Sequence, residues 1–435
     1  MKSKIQFLLY GALIIIGCEQ GPVGDWKDPR VILISIDGFR GDLLTDKSFN
    51  QDCPNMSRLM TLGTFCNNVQ SVFPSLTYPA HTSMISGVMP QKHGIVNNRI
   101  FSPKNNFVDW FWYSDTVKTP TLISKIQKKG LVSLGISWPV TVGAPIDYML
   151  PEIKSVNDSI STVNLVRKHD NPDRFLESAK IRGVIPEDGN PQGYNRDLLL
   201  HEIFMDAFKR KRPHLSLYHM IETDYAQHKS GKNSKESQNA FMFMDSLIGN
   251  IMDFLDENNL WATTTLIITG DHGFRNYQKQ LAINKLFEEK GWLKIENGEI
   301  KDWRVVGLAS GGSAFVRLKE HGNENFKKKV RIALARQKEF ETLERRHMNS
   351  ILWAPIETDF LLLAKKEFCF VQYLEQPYIV EKSGGTHGGD PRNQHLKTGY
   401  IAGGRGVEKG TLDNMMITDV ALQISALLDI GLISN

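Results

Sequence analysis

Four short, almost uninterrupted apolar runs recur along the chain: VILISID (Val31 to Asp37), LVSLGIS (Leu131 to Ser137), LSLYHMI (Leu215 to Ile221) and TTLIITGD (Thr264 to Asp271). A strand with one wet face alternates apolar and polar residues. These runs do not, so they suit strands covered on both faces of a parallel sheet. Between them lie segments with apolar residues three and four apart, notably TPTLISKIQKKG, NRDLLLHEIFMDAFKR and SQNAFMFMDSLIGNIMDFLDENN, which read as amphipathic helices. The alternation constrains the fold to α/β, a doubly wound and mostly parallel sheet with helices on both faces. The stripe Phe241 to Met244 is then core packing, the face a helix presents to such a sheet.

Residues 27–435 read as one large domain with insertions. The polar, proline- and glycine-bearing stretch 151–195 is expected to be a lid or insertion over the sheet. Residues 276–380, with LARQKEFETLERR and the strand candidates SAFVRL and DFLLLA, look like a smaller subdomain. The chain returns with SGGTHGGDP and closes on an amphipathic helix, TDVALQISALLDI. Lys and Arg total 52 against 48 Asp and Glu, with no long basic run, so no nucleic-acid-binding surface is expected.

The first eighteen residues, MKSKIQFLLYGALIIIGC, carry two lysines and then an apolar run too short for a membrane span of ~20 residues. They fit an export signal. Ile15-Ile16-Gly17-Cys18 resembles the lipobox of bacterial lipoproteins, which implies a lipid anchor on Cys18 and a place in the cell envelope, facing the periplasm or the exterior. Cys53, Cys66 and Cys369 remain. They are too few for a disulfide framework, and buried thiols are favoured over a Cys53–Cys66 bridge.

Candidate chemistry lies where strands end. Asp37, Asp271 and His272 close two of the apolar runs, Asp224 follows a third with His228 four residues on, and His387 sits in GGTHGG. Singly, each has a structural explanation as a cap or a packed histidine. Three Asp and three His near one sheet edge supply the oxygen and imidazole ligands that a pair of borderline divalent ions prefers, zinc first. Two ions roughly 3.5–4 Å apart clamp in-line displacement at phosphorus, and a coordinated hydroxyl becomes a usable nucleophile. FPSLTYPAHTSMISG (Phe73 to Gly87) supplies the hydroxyls, with Pro74 and Pro79 punctuating a loop before the helix that AHTSMI begins. Ser75, Thr77 and Thr82 are all candidates, although Ser75 and Thr77 also suit a mere helix cap.

VILISIDGFRGDLL, FPSLTYPAHTSMISGVMPQKHGIVNN, DYAQH, GDHG and GTHGGDP, taken together and in this order, resemble the nucleotide pyrophosphatase/phosphodiesterase family of the alkaline phosphatase superfamily. The resemblance implies an alkaline phosphatase-like fold and two zinc ions per chain, one on Asp37, Thr77, Asp271 and His272, the other on Asp224, His228 and His387. It implies that Thr77 is the nucleophile, forming a phosphothreonine that a zinc-bound water hydrolyses. Asn98 would bind a non-bridging phosphoryl oxygen with the Tyr78 backbone amide. His81, His93 and His395 read as structural.

The chain departs from the family in two places. Gln227 replaces the glycine before the ligand His228. His219 occupies the position of the aromatic that clamps a nucleobase, with Tyr218 one step away on the other strand face. Tyr218, Tyr78 and Trp138 are therefore the candidate substrate-binding aromatics. The monoesterases of the superfamily carry a lysine and an arginine where this chain has Trp138-Pro139-Val140, and an apolar wall there favours a diester. The expected partner is a small phosphodiester, nucleotide-like or a phospholipid head group. The alternatives are a phosphomonoesterase and a non-catalytic, lipid-anchored protein that captures phosphorylated ligands.

Overall fold

The computed structural model describes residues 21–156, 160–181, 193–344, 355 and 357–432; the export segment and Cys18 lie outside them. The four apolar runs form the strands Arg30–Ile36, Ser133–Ile136, Leu215–Met220 and Thr264–Thr269. They pair in parallel in the middle of a nine-stranded sheet. Successive residues of the first strand enter opposite cores. Ile32, Ile34 and Ile36 pack with Phe204, Phe208 and Ile248, whereas Val31 and Leu33 pack with Met84, Leu122 and Val420. Two-sided burial is why these runs show no polar alternation.

Helices Tyr194–Lys211 and Lys235–Glu257 cover one face; Thr77–Ser86, Leu122–Lys128 and Asp419–Leu427 cover the other. The fold is thus α/β and doubly wound. Phe241 and Met244 are buried against the sheet while Met242 is exposed, as one face of a helix requires. Strands outside the four runs widen the sheet. Tyr148–Leu150 extends it in parallel, and Thr398–Gly404 runs antiparallel between Thr264–Thr269 and Thr64–Gln70.

In 276–380, Ser313–Leu318 and Phe360–Ala364 pair antiparallel in a four-stranded sheet with its own core around Phe315, Phe360 and Phe287. A three-stranded sheet of Arg275–Leu281, Phe368–Phe370 and Ile379–Thr386 lies beside it. The described part of 151–195 contains the helices Thr162–His169 and Phe175–Ile181. Cys53, Cys66 and Cys369 are free and buried.

Candidate active site

Asp37 directly follows Arg30–Ile36, and Asp271 and His272 follow Thr264–Thr269. Helix Glu222–Ser230, entered from Leu215–Met220, sets Asp224 and His228 one turn apart. All five therefore stand at the carboxyl edge of the central sheet, where parallel sheets bind ligands. His387 does not. It follows Ile379–Thr386 in the three-stranded sheet, and glycine chemistry brings it in. A Cβ at Gly384 or Gly385 would lie 2.6 or 2.4 Å from the carbonyl oxygens of His228 and Gln227, so only glycine lets this strand press against the helix that carries Asp224 and His228.

Two overlapping ligand sets result: Asp37, Asp271 and His272, and Asp224, His272 and His387, each with its ligand atoms within 4.8 Å of one another. His272 Nε2 lies 3.1 Å from Asp271 Oδ2 and 3.4 Å from Asp37 Oδ1. His228 Nε2 is 3.4 Å from Asp224 Oδ1 and 3.1 Å from His387 Nε2. Backbone carbonyls fix the rings: His228 Nδ1 faces Gly385 O at 2.9 Å, His387 Nδ1 faces Ser75 O at 3.0 Å and His272 Nδ1 faces Gly273 O at 3.3 Å. Each Nδ1–H donates outward, which leaves the Nε2 lone pairs converging inward, the arrangement of ligating histidines.

Asp37 Oδ1, Asp224 Oδ1, Asp271 Oδ2 and His272 Nε2 are buried without hydrogen-bond partners. Orphaned acceptors facing one another are costly unless a cation lies among them, so these residues fit divalent metal. The electrostatics agree. Burial and the charges of Asp271 and Asp224 push the Asp37 carboxyl well above its ordinary range. Burial and the neighbouring His272 and His228 hold His387 well below its own, in the neutral form a metal needs.

Thr77 borders the same cavity, of about 540 Å³, with Asp37, Asp224, His228 and His387. It does not cap its helix. Thr77 is the first residue of Thr77–Ser86, and the N-cap is Leu76, with no side-chain capping bond. Pro79 is tolerated within that first turn because the amide it lacks has no helical acceptor there. The other hydroxyls are engaged elsewhere: Ser75 Oγ donates to Gly389 O at 3.1 Å, and Thr82 Oγ1 to Tyr78 O at 2.8 Å. The Tyr78 amide donates to Asn98 Oδ1 at 2.9 Å. That bond orients Asn98 on the cavity wall and leaves its amide nitrogen as the donor.

Two proposed substrate aromatics are not at the cavity. Tyr218 is fully buried in the core, stacked on Phe204 at 4.8 Å, with its hydroxyl on Asp197 O, and does not line the cavity. Trp138 is buried against His81 and does not line the cavity. Trp110 and Trp112 form the wall instead, stacked on each other at 5.3 Å and packed on Tyr78. The aromatic run DWFWYSD (Asp109 to Asp115) was the signal for them. Lys154, which sits 4.1 Å from the Trp110 ring, and Arg196 also border the cavity, and no motif marks either.

His219 reaches Asp37 Oδ2 at 3.2 Å through Nε2 and Glu152 Oε2 at 3.1 Å through Nδ1. Burial lowers its pKa, but the carboxylates of Asp37 and Glu152 outweigh burial and leave it well raised. Gln227 Nε2 donates to Gly38 O at 3.0 Å, tying the ligand helix to the turn after Asp37. His81 and His93 are buried, hydrogen-bonded to Thr77 O and to Ser83 Oγ, and His395 faces Lys232. All three lie outside both ligand sets.

Residues 31–390 match the family described as type I phosphodiesterase / nucleotide pyrophosphatase. The chain belongs to this family. It is 27% identical over 299 residues to human ectonucleotide pyrophosphatase/phosphodiesterase family member 1, covering 66% of this chain and 27% of that protein. It is 27% identical over 263 residues to venom phosphodiesterase CdcPDE of Crotalus durissus collilineatus, covering 59% and 27%. The chain thus spans about a quarter of the length of these relatives. Human ectonucleotide pyrophosphatase/phosphodiesterase 5 shares the fold, with a TM-score of 0.67 at 19% identity, covering 93% of this chain and 96% of that one. The murine counterpart, solved in complex with AMP, gives 0.66 at 18% identity, covering 94% and 97%.

Proposed function

We propose that the protein is a zinc-dependent hydrolase of phosphodiester or pyrophosphate bonds acting through a phosphothreonine on Thr77. The observation that carries this reading is the convergence of partnerless carboxylate oxygens and inward Nε2 atoms on the cavity that Thr77 borders. Asp37, Thr77, Asp271 and His272 would hold one zinc and Asp224, His228 and His387 the other; the pair supplies a lowered hydroxyl pKa and neutralisation of phosphoryl charge. Thr77 Oγ attacks phosphorus, the bond to the leaving oxygen breaks, and that oxygen departs as an alcohol or a phosphate. Water then attacks the phosphothreonine, breaking the bond to Oγ and restoring the hydroxyl. Asn98 donates to a phosphoryl oxygen in both steps. Tyr78, Trp110 and Trp112 offer an aromatic wall to a base or aryl group, in keeping with the AMP bound by a structural relative. Export and a lipid on Cys18 would place this activity in the cell envelope.

Lys154 and Arg196 favour one second reading, because their charge would suit a dianionic phosphomonoester. A zinc-loaded comparison of an aryl nucleotide diester with the matching aryl monoester tests the two. We expect the diester to be cleaved at least about tenfold faster, with both activities lost to a chelator. Preference for the monoester would reverse the assignment, and a metal-loaded protein that turns over neither would be a binding protein.

A further inference from the structure

His219 stands where the resemblance places a base-clamping aromatic, yet it is wholly buried and turned toward Asp37. Its Nε2, which makes no hydrogen bond among the described residues, lies 3.2 Å from Oδ2 of that residue, and the other oxygen, Oδ1, faces His272 Nε2 at 3.4 Å. Behind it, Glu152 Oε2 holds the second ring nitrogen at 3.1 Å, while Glu152 Oε1 accepts the Tyr78 hydroxyl at 3.0 Å. Glu152 opens the 151–195 segment, immediately after the edge strand Tyr148–Leu150. A single carboxylate on the cavity wall thus engages an aromatic beside Thr77 and, through one imidazole, a carboxylate of the first ligand set.

We propose that Glu152 and His219 are positioning residues: they fix the Asp37 carboxylate for metal, Glu152 by holding the His219 ring in place. The proposal rests on the metal reading above. A carboxylate free to rotate spends part of its time with neither oxygen aimed at the ion, and partners that hold a ligand from behind are typically worth about 10–100-fold in metal affinity. Trp110 and Trp112, from a loop, line the cavity, and position 219 does not.

The test is zinc affinity, read with zinc alone by competition against a chromophoric chelator. Glu152→Gln keeps the shape of the side chain and removes its charge; it should weaken one of the two zinc ions, the one held by Asp37, by about tenfold, and His219→Ala by more. Ser161→Ala removes the N-cap bond to the Asn164 amide in the neighbouring helix Thr162–His169. It loosens the same segment without touching Glu152 and should leave zinc affinity within twofold of wild type. Wild-type affinity in both Glu152→Gln and His219→Ala, each shown folded by circular dichroism, would overturn the proposal alone. So would an equal loss in Ser161→Ala. A wild-type protein that takes up no zinc would sink the metal reading and this proposal with it.

Discussion

The site has two halves built by different rules. The ligand half, Asp37, Asp224, His228, Asp271 and His272, stands at the carboxyl ends of parallel strands whose burial on both faces fixes their register. The wall half, Trp110, Trp112, Lys154 and Arg196, comes from a loop, an edge segment and one helix start. A sheet places residues through backbone pairing, which tolerates little change, whereas a wall can be rebuilt loop by loop over the same chemistry. The ligand half should therefore govern turnover and the wall half the choice of substrate.

The sharpest way to break that division is Thr77→Ala. If Thr77 supplies the attacking oxygen, diester turnover should fall by more than about 10⁴-fold, the scale of losing a covalent nucleophile. The melting temperature should barely move, because Thr77 makes no capping bond. A well-folded variant that keeps wild-type turnover would refute the mechanism. Asn98→Ala comes next, at the boundary between the halves. It removes one oriented donor and should lower kcat by roughly 10²–10³. Because the Tyr78 amide loses its acceptor at the same time, the loss should appear in kcat more than in KM. An effect confined to KM would move Asn98 into the wall.

The two halves were unequally legible in the sequence. Strands covered on both faces announce themselves as unbroken apolar runs, and their ends point to the ligands. Thr64–Gln70, with its half-exposed TFCNNVQ, carries no such run although it belongs to the same sheet. His387 was legible through its glycines, but not its placement on a second sheet, since close approach of two backbones leaves no periodicity. Tyr218 and His219 show the limit most plainly. The sequence put one aromatic and one histidine side by side, and only the observed register decides which turns toward Asp37. Glu152 and Arg196 had no local pattern to betray them.

The smallest effects separate an aromatic of the wall from an aromatic of the core. Trp110→Ala should raise KM for an aryl or nucleotide diester by about tenfold, within the 1–3 kcal/mol that stacking on an aromatic side chain contributes, and leave kcat within a few-fold. Tyr218→Phe keeps the ring stacked on Phe204 and removes only the hydroxyl that donates to Asp197 O at 3.3 Å. One net hydrogen bond of that length should cost about 1 kcal/mol of stability or less, read as a slightly lower denaturation midpoint at unchanged KM. The pair is informative because sequence position alone ranks the residues the other way, with Tyr218 beside the family's clamp position and Trp110 far from it. A raised KM in Tyr218→Phe with none in Trp110→Ala would mean that the strand, and not the loop, holds the substrate, and the division between a sheet-built centre and a loop-built wall would fail.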